Sequence, residues 1–501
     1  MTKTYDILLI GSGFGGSLTA LIMHQMGFKV CLLEKGEHPR FALGESSTPI
    51  ADMVLRDIAQ KYALPWLNNF SRYGTWQTHH PDIVCGLKRG FSYYKHTPNQ
   101  AFQTDSSHSH ELLVAASASD TLSDTNWLRA DFDNFLVEKV KEYGIDYFDQ
   151  TSLSKLHREQ GQWKVQMQTN SASRKLNARF IVDATGNGFL LDKLFAVQSS
   201  SDTFQTHSFA VYSHFEHIIK WADVLKERNI STKDYPYRPD DSALHHLLDE
   251  AWVWSLRFNN GRTSFGFMVD GTEKHLSHMP SSEIVAYFRR NYPDIDLLLQ
   301  KAELSRSPGR ILATERLQRR AQKCYGEGWV ALPHTAGFVD PMFSTGIAQS
   351  LTGIEKLADS LSAHFNNPSA LLHELESYQK GLFDELKLID ILVAGCYKSL
   401  RHFPLFRTWT MLYFALTIQY EQRRLQQQPF GSLLCAENPE LFRMVQESYY
   451  ELEEIIQSPK VSQAKMLSFE ENIRQKIAPL NSAGLLNPAA KNMYWHTAAN
   501  F

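Results

Sequence analysis

Runs of apolar residues divide the chain into a part with alternating strand and helix patterns and a part that is helical. Continuous apolar runs predict strands at 5–10 and 30–33, separated by a helix over 17–26. A later buried strand is predicted at 180–186, where the run ends in Ala-Thr-Gly. From residue 370 onward, apolar residues recur at helical spacing over 371–400 and again in an aromatic-rich segment at 403–420. The pattern predicts an α/β sheet followed by a helical C-terminal region.

A glycine-rich turn joins the first predicted strand to the first helix. In its G-x-G-x-x-G spacing, Gly11 allows a tight turn, Gly13 lets backbone N–H groups approach a pyrophosphate, and Gly16 lets helix and strand pack closely. Glu34 ends the second strand 23 residues after Gly11, where an acid accepts from a ribose hydroxyl. The fingerprint occurs once, which favours FAD over a chain with both FAD and NAD(P) domains. The predicted cofactor-binding residues of this unit are Gly11, Gly13, Phe14, Gly15, Gly16, Glu34 and Lys35.

Composition narrows the classes of protein that fit. The 501 residues carry 51 basic and 54 acidic side chains and are 43% hydrophobic, which argues against a disordered chain and against a polybasic nucleic-acid binder. Five scattered cysteines, none in CxxC spacing, argue against a disulfide framework or a zinc site. The N-terminal residues show no export signal, so we expect a cytoplasmic protein. Residues 403–420 are too often interrupted by polar residues to span a membrane, and a buried helix is favoured over a membrane-surface or dimer face.

Several polar residues allow two interpretations. A helix is predicted to open at 127–133, with Asp131 or Asp133 as its cap, and to close at Gly144. Arg129 in its first turn is either a cofactor contact or a solvated charge, and spacing alone favours the solvated charge. The histidines at 79–80, 108–110 and 245–246 lack the spacing of a metal site and are interpreted as solvated or hydrogen-bonded. No G-x-S-x-G elbow supports a hydrolase.

Four further segments carry a resemblance to a known family. They are GESSTP at 44–49, CGLKRGFSY at 85–93, AWVWSLR at 251–257 and GFVDPMFSTGI at 337–347. Together with the glycine fingerprint they resemble the flavin-dependent halogenases, whose fold is shared with the aromatic hydroxylases of the p-hydroxybenzoate hydroxylase type. The resemblance covers about residues 5–350.

The resemblance implies a domain organisation. A Rossmann-like FAD-binding domain would be assembled from residues 1–58, 106–199 and 306–368. Insertions at 59–105 and 200–305 would form an antiparallel-sheet substrate domain over the flavin, with strands at 87–94 and 263–269. Residues 369–501 would form the helical C-terminal region.

The resemblance also implies a reaction and its residues. Reduced FAD and oxygen would give a flavin C4a-hydroperoxide, halide would convert it to hypohalous acid, and Lys88 would polarise that acid beside an aromatic small molecule. Backbone N–H groups of Ser344, Thr345 and Gly346 would bind the halide. The further cofactor-binding residues would be Ser46, Ser47, Thr48, Arg129, Asp340 and Ile347. A separate flavin reductase is the expected partner, a carrier protein for the substrate and a homodimer stay open, and neither a metal nor a nucleic acid is expected.

Two departures from the family pattern affect the substrate. Leu256 and Arg257 replace the Ile-Pro of the WxWxIP motif, which is thought to keep substrate from the flavin. Phe343 stands where the tryptophan-specific branch has a glutamate, which favours a phenol, pyrrole or decarboxylated indole over tryptophan. Without the resemblance, Lys88 is most simply an exposed strand residue. The rival functions are an aromatic hydroxylase or reductase of the same fold, and a non-catalytic flavin-binding scaffold.

Overall fold

The computed structural model describes residues 2–169, 172–428 and 431–499. The described residues form short and long strands that build two large sheets and two small ones. The strands are β1 (Lys3–Ile10), β2 (Val30–Leu33), β3 (Cys85–Lys88), β4 (Gly90–Lys95), β5 (Glu111–Ala115), β6 (Asp124–Trp127), β7 (Asp146–Phe148), β8 (Ser152–Glu159), β9 (Gln162–Gln168), β10 (Ser173–Asp183), β11 (Ser199–Ser200), β12 (Ser208–Glu216), β13 (Ala243–Leu247), β14 (Ala251–Arg257), β15 (Thr263–Asp270), β16 (Glu303–Leu304), β17 (Leu312–Ala313), β18 (Arg319–Ala321), β19 (Tyr325–Gly326), β20 (Trp329–Ala331), β21 (Gly337–Phe338) and β22 (Met493–Tyr494).

Helices cover the first sheet and make up most of the chain after residue 344. They are α1 (Phe14–Gln25), α2 (Pro49–Lys61), α3 (Tyr73–His79), α4 (Arg129–Glu142), α5 (Phe189–Phe195), α6 (Trp221–Glu227), α7 (Lys274–Ser277), α8 (Ser281–Asn291), α9 (Pro293–Leu298), α10 (Pro333–Ala336), α11 (Thr345–His364), α12 (Pro368–Ser399), α13 (Phe403–Leu425), α14 (Pro439–Gln457) and α15 (Gln463–Ile477).

The first sheet has a parallel centre in the order β20-β10-β1-β2-β7, with β19 antiparallel at one edge and the β8–β9 hairpin paired to β10. Its middle strand, β1, pairs in parallel with β10 on one side and β2 on the other. The right-handed β1-α1-β2 connection brings the glycine turn to the carboxyl ends of these strands, where α/β sheets bind ligands. The Rossmann-like prediction is confirmed, including the strand predicted at 180–186, which is the end of β10.

The second sheet runs β16-β12-β15-β14-β13-β4-β5-β22, and β17 also pairs with β12. It is mixed rather than purely antiparallel, because β13 pairs in parallel with β4 and β22 with β5. Three of its strands, β5, β17 and β22, lie outside the segments predicted for this sheet. β5 joins because it is the antiparallel neighbour of β4, and β22 covers the edge that β5 would otherwise expose.

The helical C-terminal region packs on both sheets. Helix α13 begins with Pro404 in its first turn and buries most of its residues, as predicted for the aromatic-rich segment. The guanidinium of Arg424 near its end contacts the carboxylates of Glu355 on α11 and Asp57 on α2, which fixes the rotation of α13. Within the described ranges, none of the helices combines the length and apolar character that crossing a bilayer requires.

One predicted helix start is wrong. Leu128, not an aspartate, occupies the N-cap of α4, because strand β6 continues as far as Trp127 and the helix follows directly. Asp131 and Asp133 therefore lie inside its first turns. Gly144 follows the helix with φ +74°, as predicted for a glycine that ends a helix.

The contact between α1 and β1 explains two glycines of the fingerprint. Gly11 has φ +103°, and a Cβ there would lie 2.6 Å from the Ala184 carbonyl oxygen. A Cβ at Gly16 would lie 1.9 Å from the Gly11 carbonyl oxygen. Neither position has room for a side chain, whether or not a ligand is bound.

We expect Gly16→Ala to lower the free energy of unfolding of the cofactor-free protein by about 3 kcal/mol or more, because backbone must move to admit the methyl group. Gly15→Ala is the matched control, since its Cβ would first meet the Leu332 side chain at an ordinary 3.5 Å. Urea unfolding followed by circular dichroism measures both variants. Equal midpoints for the two variants would contradict the packing argument.

Candidate active site

Glu34 is a buried carboxylate beside the glycine turn. Its Oε2 accepts from the Ser12 backbone N–H at 2.9 Å and from the Ser12 hydroxyl at 3.0 Å, and its Oε1 accepts from the Gly36 N–H at 2.8 Å. Burial opposes ionisation, but these hydrogen bonds and the charge of Arg40 hold the pKa of Glu34 below its usual value. Glu34 therefore keeps its charge at the end of β2, and the neighbouring Lys35 is exposed.

Gly13 has space where a side chain would be. It is the N-cap of α1 and makes no side-chain cap, so the first N–H groups of the helix have no partner within the helix. A Cβ at Gly13 would meet Arg129 at 3.6 Å and Asp133 at 3.7 Å, which are ordinary contacts. The protein itself does not require glycine here, in contrast to Gly11 and Gly16. The turn therefore fits a phosphate group seated on the start of α1.

Arg129 is buried beside this turn, so the solvated-charge interpretation is wrong. Its guanidinium donates to both Asp133 carboxylate oxygens at 2.8 Å and to the carbonyls of Leu43 and Gly44 at 2.7 and 3.1 Å. The same group lies 4.7 Å from the centre of the Phe14 ring. Arg129 thus joins α4 and α1 to the loop that precedes α2, and it borders the space at Gly13.

That loop, residues 44–48, is called the strap below. Ser47 anchors it, since its N–H donates to the Thr125 carbonyl and its hydroxyl accepts from the Thr125 N–H. Thr48 is the N-cap of α2 and Pro49 is the first residue of that helix, but the Thr48 hydroxyl makes no capping hydrogen bond. Buried polar atoms of Ser46, Thr48 and Asn126 find no hydrogen-bond partner among the described residues. These unpaired groups are suited to a polar ligand running along the strap.

Lys88 is fully buried, so the exposed-strand interpretation is wrong. It lies at the end of β3 directly opposite Asp124 on β6, and its Nζ donates to the Ser47 carbonyl of the strap. The ammonium is 4.2 Å from the centre of the Phe91 ring. Strand pairing to β6 and the covering strap remove this lysine from solvent.

The charges around Lys88 compensate its burial only in part. Burial lowers the pKa of Lys88 to about 8, against the opposing effect of the Asp124 and Asp52 carboxylates. Burial also raises the pKa of both acids, most strongly for Asp52, which lies next to Asp124. Burial and the neighbouring Asp124 therefore disfavour the charged form of Asp52, while Asp124 lies directly opposite the lysine. The result is an ammonium that can donate a hydrogen bond at neutral pH and has a lowered cost of losing its proton.

The start of α11 is a second place without steric need for glycine. Ser344 precedes the helix with φ +53°, and Thr345 and Gly346 are its first residues. A Cβ at Gly346 would meet nothing within 4 Å, while Ile347 is buried behind it. The first N–H groups of this helix have no partner within it, and a helix start of this kind can bind an anion.

Asp340 anchors the loop before α11. Its Oδ2 accepts from the Ser208 hydroxyl at 2.7 Å and the Tyr397 hydroxyl at 2.9 Å, and its Oδ1 accepts from the Met342 N–H at 3.0 Å. Burial raises the pKa of Asp340 to about 6, against the effect of these hydrogen bonds. The side chain predicted to bind cofactor thus joins the second sheet, α12 and the loop.

Leu256 and Arg257, which replace the Ile-Pro of the motif, both pack within the protein. The Arg257 guanidinium donates to Asp240 at 2.7 Å and to the Ile219 carbonyl at 2.7 Å, and Leu256 is buried. A Cβ at Gly86 would lie 1.8 Å from the Arg257 carbonyl oxygen, so β3 packs directly on this segment. The backbone of the motif therefore supports the strand that carries Lys88.

A small cavity of about 20 Å³, enough for one water molecule, lies beside Phe91 and the strap. Phe343 stacks on Tyr413 with ring centres 4.2 Å apart, and Phe91 meets Tyr413 and Phe414 edge-on. Phe343, which stands where the tryptophan-specific branch has a glutamate, is thus part of an aromatic cluster next to the cavity. The described lining residues include Thr48, Phe91, Tyr413, Phe414, Thr417 and Glu421.

Sequence reasoning missed four polar residues of this region. Glu421 begins the polar run at 421–428. It also lies seven residues after Phe414, a spacing that places it on the same helix face as Phe414, Thr417 and Ile418. For Asp52, Asp124 and Asn126 no local sequence pattern indicated a place in the site, since their positions depend on pairing between segments that are distant in sequence.

The predicted histidine pairs do not gather into a metal site. Within the described ranges, no three metal-binding side chains come together. His245 and His246 lie buried on a central strand of the second sheet and are hydrogen-bonded, as the second of the two predicted alternatives has it: His245 to the Ser92 carbonyl at 3.2 Å and His246 to His96 at 2.9 Å. His108 is held by Glu111 and Asp234, as a hydrogen-bonded histidine.

Comparisons with known proteins agree with this geometry. A family model described as tryptophan halogenase matches residues 114–399, more than half of the chain, and an FAD-binding-domain model matches residues 6–206. Monodechloroaminopyrrolnitrin halogenase PrnC of Pseudomonas fluorescens is 24% identical over 90% of this chain and 81% of its own. Tetracycline 7-halogenase of Kitasatospora aureofaciens is 25% identical over 81% of this chain and 73% of its own. The crystal structure of halogenase PltM with phloroglucinol and FAD has a TM-score of 0.86, with 21% identity, over 98% of this chain and 99% of that one.

We expect Gly13→Ala to weaken FAD binding by at least about tenfold, because its methyl group enters the space for the pyrophosphate. Unfolding free energy should change by no more than about 1 kcal/mol, the usual effect at an N-cap. Fluorescence titration with FAD measures the first and urea unfolding the second. Equal FAD affinity for wild type and Gly13→Ala would remove this turn from the site.

Proposed function

Because the chain belongs to the tryptophan halogenase family and is a flavin-dependent halogenase that uses FAD, we propose that it installs chlorine or bromine on an electron-rich aromatic small molecule. The observation that carries this proposal is the fully buried Lys88 beside a cavity with aromatic walls. Aromatic side chains pack well on the faces of a phenol, pyrrole or indole ring, which is why the aromatic walls beside Lys88 support substrates of this kind.

In this proposal, the start of α1 and the strap hold the cofactor, and the start of α11 holds the halide. The N–H groups that follow Gly13 bind the pyrophosphate, and Glu34 accepts a hydrogen bond from the ribose. The unpaired hydroxyl groups of Ser46 and Thr48 on the strap bind other polar groups of FAD. Reduced FAD with oxygen supplies the oxidising equivalents that turn halide into hypohalous acid. The N–H groups of Thr345 and Gly346 bind the halide, because backbone donors attract an anion without a competing side-chain cation.

Lys88 acts on the hypohalous acid. A hydrogen bond from its ammonium to the oxygen makes the halogen more electrophilic, and it does so strongly because the site excludes water. The Ser47 carbonyl and Asp124 fix where the ammonium lies. The halogen is then transferred to ring carbon, the oxygen leaves as water, and the ring carbon loses its proton.

The substrate is a phenol, pyrrole or indole rather than tryptophan in this proposal. Phe343 carries no carboxylate and is stacked on Tyr413, so tryptophan finds no carboxylate at that position. Relatives named for tetracycline and for an aminopyrrolnitrin derivative, and the neighbour bound to phloroglucinol, support ring substrates of this kind.

The test of this function is mass spectrometry of phenols, pyrroles and indoles, free or tethered to a carrier protein, after incubation with the protein. We expect halogenated product with FAD, NADPH, a separate flavin reductase and chloride or bromide, and chemically reduced FAD should replace the reductase. A halogenated product with NADPH and oxidised FAD alone would contradict the need for a reductase. Rapid NADPH oxidation with an oxygenated product and no halogenation would instead favour a hydroxylase.

We expect Lys88→Ala still to bind FAD and to oxidise its reduced form, because Lys88 lies in a different segment from the glycine turn and the start of α11 and contacts the strap through the Ser47 carbonyl. Halogenated product should fall by about 10² to 10⁴, the usual effect of removing a positioned proton donor. Lys88→Arg should restore little, since a planar guanidinium does not fit the Ser47 carbonyl and Asp124 as a compact ammonium does.

Flavin oxidation and aryl halide are measured in the same sample, so a variant that fails to fold is recognised by loss of both. Halogenation by Lys88→Ala at near the wild-type rate would show that this lysine takes no part in the reaction.

A further inference from the structure

The loop that leads into α11, residues 339–344, is called the halide loop below. Ser344 at its end has φ +53°, a left-handed conformation that is unfavourable for a residue with a side chain and persists where the surroundings fix it. The Ser344 N–H donates to the Pro341 carbonyl at 2.9 Å, which closes a turn within the loop. The N–H groups of Thr345 and Gly346 follow directly. Their positions therefore depend on the contacts that hold this loop.

Tyr397 of α12 holds the first half of the halide loop. Its hydroxyl donates to Asp340 Oδ2 at 2.9 Å and accepts from the Trp252 indole N–H at 3.0 Å. The other oxygen of Asp340 accepts from the Met342 N–H at 3.0 Å. The Tyr397 hydroxyl is thus one link in a chain of hydrogen bonds from strand β14 to the backbone of the loop.

Strand β12 holds the same carboxylate from another side. The Ser208 hydroxyl donates to Asp340 Oδ2 at 2.7 Å. The Gln318 amide donates at 2.8 Å to the Ser208 hydroxyl and to the Val339 carbonyl. Asp340 is therefore fixed by the second sheet on one side and by the helical C-terminal region on the other.

Tyr413 of α13 holds the second half of the halide loop. Its hydroxyl donates to the Phe343 carbonyl at 2.9 Å, and its ring stacks on the Phe343 ring at a centre distance of 4.2 Å. Phe343 directly precedes Ser344. The two tyrosines thus hold the loop at separate points, one through a side-chain carboxylate and the other through a backbone carbonyl.

The position of the loop matters because a halide must exchange its hydration for a few N–H groups. Such donors are effective when they are already oriented toward the anion, since reorientation on binding costs free energy. A binding constellation has to be held to within about 0.5 Å by the groups packed behind it. The hydroxyls of Tyr397 and Tyr413 are two of those groups here.

We propose that Tyr397 and Tyr413 are positioning residues that hold the halide loop in its halide-binding conformation and so set the affinity for halide. The inference rests on the proposed function, which assigns the halide to the N–H groups of Thr345 and Gly346. Each hydroxyl donates its proton to the loop and acts on the halide through it. Both tyrosines lie after residue 350, where the sequence resemblance ends, so the helical C-terminal region contributes to the reaction.

The experiment compares wild type with Tyr397→Phe, Tyr413→Phe and the double variant, since each change removes a hydroxyl and keeps the ring. Hypobromous acid caught by monochlorodimedone is measured with chemically reduced FAD, oxygen and varied bromide, which gives kcat and the KM for bromide. Fluorescence titration with FAD and urea unfolding are run on the same preparations. Tyr378→Phe is the matched control, because this tyrosine of α12 donates its hydroxyl to the Ala331 carbonyl of β20 at 3.1 Å.

We expect the KM for bromide to rise by about tenfold in Tyr397→Phe and by somewhat less in Tyr413→Phe, because the first hydrogen bond is to a charged group. The two increases should multiply in the double variant, since the hydroxyls hold separate points of the loop. The kcat at saturating bromide and the Kd for FAD should stay within about threefold of wild type, as should every parameter of Tyr378→Phe.

The pH dependence gives a readout that general loosening of the fold would not move. Burial raises the pKa of Asp340 to about 6, while the hydrogen bond from Tyr397 lowers it. The titratable groups that act on this carboxyl include Tyr397, Cys396 and Asp390, all on α12. We expect the wild-type KM for bromide to rise as pH falls through about 6, where the carboxylate is protonated and accepts less well. This rise should begin at a higher pH in Tyr397→Phe and at the wild-type pH in Tyr413→Phe.

Three results would overturn the inference alone. They are a wild-type KM for bromide in both single variants, a fall in kcat with that KM unchanged, and a rise in KM matched by an equal loss of FAD affinity. A wild type that forms no hypobromous acid would overturn the proposed function, and this inference with it.

Discussion

The burial of one positive charge, the Lys88 ammonium, constrains the arrangement of the whole site. Segments far apart in sequence surround it: the Ser47 carbonyl of the strap accepts its hydrogen bond, Asp124 of β6 lies directly opposite it, and Asp52 of α2 lies next to Asp124. Removing one partner of a buried charge commonly costs about 3 to 5 kcal/mol, so these segments cannot separate freely. The strap cannot shift on the cofactor side without changing the position of the lysine on the substrate side. This ties the two halves of the site together.

Those parts of the fold that are determined by residues close together along the chain were predictable from the sequence. The β1-α1-β2 unit follows from apolar runs and a glycine turn, and the helices after residue 344 follow from spacing. Lys88 became a candidate through resemblance, because a lysine in a short strand is usually exposed. Its burial depends on β6 and the strap, and no local pattern encodes that pairing. Arg129 was misjudged for the same reason, since Leu43 and Gly44 reach it from 85 or more residues away.

Glycines separate packing requirements from ligand requirements in this chain. At Gly11, Gly16 and Gly86 a Cβ would collide with backbone, so the fold alone accounts for them. At Gly13 and Gly346 a Cβ would meet ordinary contacts or none, so the fold does not account for them. Both of these lie at the start of a helix, where N–H groups lack partners. The G-x-G-x-x-G spacing already assigns different roles to Gly11, Gly13 and Gly16, and the packing around Gly86 and Gly346 makes the same distinction where no such spacing exists.

The aromatic residues beside Lys88 join the loop before α11 to the helical C-terminal region. Phe343 stacks on Tyr413 of α13, and Phe91, whose ring centre is 4.2 Å from the Lys88 ammonium, meets Tyr413 and Phe414 edge-on. Because these rings carry no formal charge, they attract the ammonium only weakly, and its main compensation comes from the strap and β6. Helix α13 therefore takes part in the surroundings of the lysine, although none of the motifs that carry the family resemblance lies on it.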